Sequence, residues 1–326
     1  MKTRILPKKS ERKKWKISIN ACFSWFGNAV VNSAFYIPRM FEKHIVVNAW
    51  VKVRRGKLVH QNWGDDICVY LVELLTGKKV IVRNCSLLHM ILPLKNYILI
   101  GSVAGFYENR HTIMWGTGLI SPQGRPKKGA VAPRNRVKNN RHICSVRGMK
   151  TRELLLGKGL DCPAVFGDPA LLLSKIYNPR IEKRYKMGIV PHYVDLNNEA
   201  VKDFLANHPE TLLIDLTRYD KWTDVIDKIL SCEVIVSSSL HGLIVSDSYG
   251  IPNIWVSLSN RIVGGTFKFL DYFSSVNREE KLPYLVRQEE DLEKIYAIAG
   301  YSSFNAVVDF DSIMNSCPLP ITNWKK

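Results

Sequence analysis

A chain of 326 residues is long for one domain and accommodates two of about 130–160 residues each. Its 46% hydrophobic and 10% aromatic content supplies a buried core and excludes a disordered chain, while 20 Gly and 15 Pro exclude collagen-like and linker-like ones. The net charge of +18 is unevenly spread: residues 1–152 hold 29 basic and 6 acidic side chains, residues 153–326 hold 18 and 23. Such a field attracts anions, whether nucleic acid, an anionic membrane surface, or phosphorylated substrates.

The basic charge concentrates in Lys2 to Lys16 and in Gly124 to Arg152. Residues 17–38 follow as an uncharged run, too polar for a signal sequence or a spanning helix. Asn20, Ser24, Asn28 and Asn32 recur every fourth residue, while Ile19, Cys22, Phe23, Phe26, Val30 and Phe35 fall mainly on other faces. Two readings fit: a helix packed on the first domain, or an amphipathic segment lying on an anionic bilayer. The seven cysteines form no C-x-x-C pair, so a zinc ribbon or redox motif is not expected, and reduced, mostly buried thiols in a cytoplasmic protein are.

From residue 44 short apolar strands alternate with amphipathic helices, which predicts an α/β class with mainly parallel sheets. Strands are predicted at His44 to Val53, Lys79 to Arg83, Tyr97 to Ile100, Ile113 to Thr117 and Arg141 to Val146. Helices are predicted at Asp65 to Leu75, capped by Asp65 or Asp66 and closed by Gly77, and at Lys150 to Gly157. The basic loop Gly118 to Arg141 could cover a cleft. A polar stretch near 172–185 marks a boundary, giving a basic N-terminal segment (1–43) and two Rossmann-like domains (44–175 and 176–326) facing across a cleft. The second half continues with strands at Lys186 to Val190, Thr211 to Leu216, Glu233 to Ser237 and Asn253 to Val256. Between them lie helices at Asn197 to Asn207, Thr223 to Ser231 and Leu240 to Tyr249, the last stopped by Gly250 and Pro252.

The strongest site signal is Cys232 to Pro252, where a buried strand enters a helix through Ser237, Ser238 and Ser239. His241 lies in the first turn. Ligands of parallel sheets bind at the carboxyl ends of strands, a helix N-terminus suits a phosphate or carboxylate, and a histidine there exchanges protons beside the anion. Asn62-Trp63-Gly64-Asp65-Asp66 opens another helix. Gly64 permits close backbone approach, one carboxylate can cap, and the other is free for sugar hydroxyls. Arg147, at the end of a further strand, has the two-pronged geometry that grips carboxylate or phosphate, and Lys268 and Arg278 add cations. Taken singly, capping is the simpler account of Asn62 to Asp66 and a solvated charge explains Arg147, Lys268 or Arg278 as readily as a ligand does, whereas the strand–turn–helix setting of His241 favours a functional histidine over a structural one.

In order and spacing, these segments resemble the polysaccharide pyruvyl transferase family. The matching pieces are Asn62 to Asp66, Ile100-Gly101-Ser102, Trp115 to Gly118, Val146-Arg147-Gly148, Gly167-Asp168-Pro169, Ser238 to Gly242, Gly250-Ile251-Pro252 and Phe267 to Asp271, within about residues 45–280. The resemblance implies a glycosyltransferase-B-like pair of domains. It implies phosphoenolpyruvate as donor, and as acceptor an oligosaccharide or lipid-linked saccharide that receives a cyclic pyruvate ketal. It makes His241 the acid–base residue. Donor binding is expected at Arg147, Ser238, Ser239, Lys268 and Arg278, and acceptor binding at Asn62, Gly64, Asp65 and Asp66. Several family members carry arginine before the Leu-His pair, where this chain has Ser239; Lys268 or Arg278 would then supply the cation.

No metal motif is visible and no cofactor is expected beyond phosphoenolpyruvate as co-substrate. The competing readings are a nucleotide-sugar-dependent glycosyltransferase of the same architecture and a polyanion-binding protein. Residues 125–152 lack the interleaved aromatics of a single-strand platform, so nucleic acid is not expected as a partner. The basic half instead suits a cytoplasmic protein lying peripherally on an anionic membrane that carries the acceptor.

Overall fold

A computed structural model describes residues 9–106, 111–122, 142–298, 306–322 and 324. Helix α1 (Lys9–Met40) precedes a first lobe made of β1 (His44–Val47), β2 (Lys52–Arg54), β3 (Lys57–Val59), α2 (Trp63–Thr76), β4 (Lys79–Val82), α3 (Leu87–Ile91), β5 (Asn96–Ile98), β6 (Thr112–Trp115), β7 (Ile143–Ser145) and α4 (Met149–Gly157). After α5 (Leu173–Ile176) come β8 (Tyr185–Val190), α6 (Glu199–Asn207), β9 (Thr211–Leu213), α7 (Asp224–Leu230), β10 (Cys232–Ser237), α8 (Leu240–Ser248), β11 (Asn253–Ser257), α9 (Phe267–Phe273), β12 (Tyr284–Leu285), α10 (Glu289–Ile298) and α11 (Phe310–Asn315).

Two parallel sheets result, ordered β4-β1-β5-β6-β7 and β12-β11-β10-β8-β9, so the protein is a two-lobed α/β molecule. In each sheet the chain winds outward from an internal strand. The carboxyl ends on either side of the switch therefore diverge and leave a crevice. One apolar cluster runs through both lobes and contains Val47, Trp63 and Trp115 together with Val190, Leu243 and Tyr272.

The alternating pattern located most elements to within a few residues, with informative exceptions. The strand predicted over 44–53 is two strands, because β1 ends at Val47 and β2 and β3 form an antiparallel hairpin. Its turn uses two consecutive positive φ values, Arg55 at 50° and Gly56 at 70°. The cap of α2 is Asn62, whose side-chain oxygen accepts from the Gly64 amide at 3.3 Å; the role expected of Asp65 or Asp66 falls to it. Gly77 (φ 62°) and Gly250 (φ 65°) take the left-handed conformation after α2 and α8, as expected of helix stops.

Residues 306–322, grouped by sequence with the second domain, run back over the first lobe. There the Trp115 indole donates to Ile313 O at 3.0 Å, and the Thr322 amide to Leu75 O at 3.0 Å.

Helix α1 packs on the first lobe, one of the two readings of it, along a narrow side formed by Ala29, Asn32 and Tyr36; of the regularly spaced Ser24, Asn28 and Asn32 only Asn32 is buried. Asn32 is buried, its amide donating to Val53 O (3.1 Å) and Cys85 O (3.0 Å) and accepting from the Gly56 amide (3.1 Å). Ala29 and Tyr36 are buried beside it. Its apolar residues Phe26, Val30 and Ile37 share another side and are exposed, as is Phe41 just beyond its end. Among the described residues, no helix is long and apolar enough to cross a membrane.

Candidate active site

The crevice between the lobes is a cavity of about 420 Å³. From the first lobe, Trp50, Asn62, Asp65 and Ser102 reach it on the segments that follow β1, β3 and β5. From the second come His192 after β8, Ser239 and His241 at the start of α8, and Lys268 in α9. Sequence reasoning brings Asn62, Asp65, Ser239, His241 and Lys268 to one place. It missed Ser102 and His192, although each follows a predicted strand and the rule about carboxyl ends would have found them, and it missed Trp50 because the strand predicted over 44–53 ran through it, whereas β1 ends at Val47.

His241 is held in the first turn of α8 by its neighbours. Ser237 Oγ accepts from the Ser239 amide (3.0 Å) and donates to Ser239 O (2.8 Å) and Val190 O (3.0 Å), which fixes the strand–helix turn. The imidazole rests on Gly64 of the facing lobe. A Cβ there would lie 2.9 Å from the His241 Cβ and closer still to the ring. Gly64 is therefore the floor under the histidine, a different role from the ligand contact expected of it.

The His241 Nε2 is buried and has no hydrogen-bond partner. Burial, reinforced by Lys268, Arg147 and His192, pushes the imidazole pKa down to about 3, so the ring is a neutral base at pH 7. His192 is likewise lowered to about 3 by burial and by Lys268. Burial together with the Arg147 charge lowers Lys268 to about 8, while Asp65 opposes the shift. At pH 7 two neutral imidazoles thus share the crevice with the Lys268 ammonium, whose pKa lies closer to neutrality than a lysine's usual value. An entering anion would offset part of the desolvation and shift all three upward.

Four expected ligand contacts lie behind the walls. Arg147 is fully buried: Nε and Nη2 reach Asp271 Oδ2 at 3.1 and 2.9 Å, Nη1 donates to Ser102 Oγ at 2.8 Å, and Nη2 also donates to Leu119 O at 2.8 Å. It reaches the crevice through Ser102 and through its charge. Asp271 also accepts from the Thr151 amide and hydroxyl, both at 2.7 Å, so the pair ties α9 to α4 across the lobes. Arg278 lies at the far end of α8, bound to Asp247 (3.1 Å), Asn253 (2.6 Å) and Glu280, away from the cavity wall. Ser238 is buried, its hydroxyl accepting from the His192 amide at 2.9 Å. Asp66 accepts from the Gln61 and Asn62 amides (2.9 and 3.1 Å) and from the Tyr219 hydroxyl (2.8 Å), a second link between the lobes. Arg147, Arg278 and Ser238 have chemistry suited to a ligand but are engaged by protein groups that spacing along the chain cannot reveal; in Asp66 the same holds of Oδ2, while the buried Oδ1 has no partner.

The basic loop over 118–141 is described only as far as residue 122, and Ile120 lines the cavity; the rest lies outside the described residues. The same holds for residues 1–8 of the basic arm.

The sequence profile of the family described as polysaccharide pyruvyl transferase matches residues 16–260. The chain belongs to that family. Its activity is pyruvyl transfer to a polysaccharide substrate. An uncharacterised protein of Acanthamoeba polyphaga mimivirus is 30% identical over 261 residues, 78% of this chain and 83% of that one. The succinoglycan biosynthesis protein ExoV of Rhizobium meliloti (strain 1021) is 26% identical over 244 residues, 71% of this chain and 67% of that one. Seen as a pyruvyl transferase, the chain starts its family match inside α1, so that helix belongs to the enzyme's common body.

Proposed function

We propose that this pyruvyl transferase uses phosphoenolpyruvate to place a cyclic ketal on a sugar of an oligosaccharide or lipid-linked saccharide. The observation that carries the reading is a neutral, unpartnered His241 Nε2 in a crevice that also holds Lys268 and the opening turn of α8. The donor's carboxylate and phosphate suit the Lys268 ammonium and the free N–H groups of that turn. Asn62 and Asp65, joined by a 2.8 Å hydrogen bond, face this group from the other lobe and suit sugar hydroxyls.

In the first step a sugar hydroxyl attacks C2 of phosphoenolpyruvate, and the double bond is protonated at C3 to give a methyl group. His241 accepts the hydroxyl proton. In the second step a neighbouring hydroxyl attacks the same carbon, phosphate departs, and the second hydroxyl proton leaves with it. Two hydroxyl protons are thus consumed, one on carbon and one on phosphate. A positioned base of this kind contributes on the order of 10²–10⁴ in rate.

On this reading the lobes form a glycosyltransferase-B-like pair. Residues 44–175 serve the acceptor and the region from 176 serves the donor, with Ser239 at the helix start and Lys268 replacing a fixed arginine. The basic segment 1–43 holds the protein peripherally on an anionic cytoplasmic membrane surface. The test is incubation with phosphoenolpyruvate and glycan, followed by mass spectrometry. One pyruvate ketal per modified sugar and stoichiometric phosphate are expected. Transfer from uridine or guanosine diphosphate sugars, with none from phosphoenolpyruvate, would sink the reading.

A further inference from the structure

A second cavity of about 430 Å³ lies between α1 and the hairpin β2–β3. Trp50 lines this cavity and the catalytic crevice alike, so the two are neighbours along one wall. A second indole, Trp25 of α1, lines the groove, and both are about half exposed, at 48% and 53%. Two half-exposed indoles give the groove aromatic faces suited to stacking.

The backbone that carries Trp50 is fixed. Asn84 clasps the preceding residue, accepting from the Ala49 amide at 3.3 Å and donating to Ala49 O at 2.9 Å. Around the indoles the groove is polar, with exposed Asn28, Lys52 and Gln61 side chains. Gln61 immediately precedes Asn62 of the crevice, and its amide is tied to Asp66. Aromatic faces beside amide side chains suit a sugar ring, whose C–H face stacks while its hydroxyls exchange hydrogen bonds. A hydrocarbon tail would leave the same amides and the ammonium desolvated without partners.

We propose that the groove under α1 binds the acceptor saccharide beyond the sugar that receives the pyruvyl group, the chain passing Trp50 on its way into the crevice. This rests on the reading of the crevice as the site of transfer. It makes the enzyme selective for acceptor length.

The test uses the full-length protein and its cells' own surface glycan, cut by mild acid and fractionated into disaccharides and into pieces of four to six sugars. Binding is followed by indole fluorescence, with polyprenyl phosphate in detergent as the competing probe; turnover is followed as ketal formation. Trp25→Ala is expected to weaken binding of the longer pieces about tenfold and leave disaccharide binding unchanged. Asn28→Leu, at an exposed position, is expected to act in the same direction and guards against misfolding of the first variant. Equal loss for both lengths, no loss for either, or loss of polyprenyl phosphate binding alone would overturn the groove. If the wild type binds long pieces but forms no ketal, the transfer reading fails while the groove stands.

Discussion

Gly64 of one lobe is the surface on which the His241 imidazole of the other lobe lies, and a methyl group at position 64 would occupy the ring's place. The helix start that carries the acceptor-side residues thereby also sets the position of the base. Gly64→Ala should move the ring and lower kcat about 100-fold, the order of loss that accompanies an ångström of misplacement, with a small change in KM for phosphoenolpyruvate. Steady-state kinetics on folded protein decide it; wild-type turnover would show that the ring has somewhere else to go.

Arg147 and Asp271 are both fully buried, and each is the other's charge partner. Arg147→Ala would leave a carboxylate in the interior facing only Thr151, which costs about 3–5 kcal/mol. Chemical denaturation should show that loss, and Arg147→Lys should recover only part of it, since one ammonium cannot reach Asp271, Ser102 and Leu119 together. If stability stays constant and only donor affinity falls, Arg147 touches the donor directly.

If Lys268 binds the donor, as proposed, it gives donor binding a pH limb. Its free-state pKa, lowered by burial to about 8, would rise when an anion neutralises the pocket. The ammonium is present below pH 8 and lost above it, so affinity for phosphoenolpyruvate should hold near neutrality and weaken up to about tenfold per pH unit further up. Titration calorimetry from pH 6.5 to 9.5 measures the limb and the accompanying proton uptake. Lys268→Arg should move the weakening beyond that range, and an unchanged profile would remove Lys268 from the donor site.

The outward stripe of α1 (Phe26, Val30 and Ile37) and Phe41 just beyond it follow a segment rich in lysine and arginine. Purified protein should pellet with vesicles containing phosphatidylglycerol, leave them at high salt, and bind neutral vesicles weakly. Replacing Phe26 and Ile37 by serine should reduce pelleting without changing turnover on a soluble acceptor. Equal binding of the variant would assign the attachment to charge alone.

Residue order determined a good deal about this protein. The alternation of apolar runs and amphipathic segments pointed to two parallel sheets, because a strand covered on both faces is buried as a continuous apolar run while a helix buries one side every 3.6 residues. The Ser-Leu-His-Gly turn declared itself, since a buried strand running into a helix can present its first turn only at a sheet's carboxyl end. The tertiary structure alone decided which charged groups are spent. Arg147, Arg278 and Asp66 are engaged by partners that include Asp271, Asp247 and Tyr219, which lie 124, 31 and 153 residues away, while Lys268, Asp65 and His241 remain on the wall. It also decided that α1 packs through Asn32, which meets backbone groups of the hairpin and of Cys85 that no local pattern announces. The physical reason is the same in both cases: hydropathy along a chain fixes which side of an element is buried on average, whereas a polar side chain's role depends on whether a distant partner satisfies it.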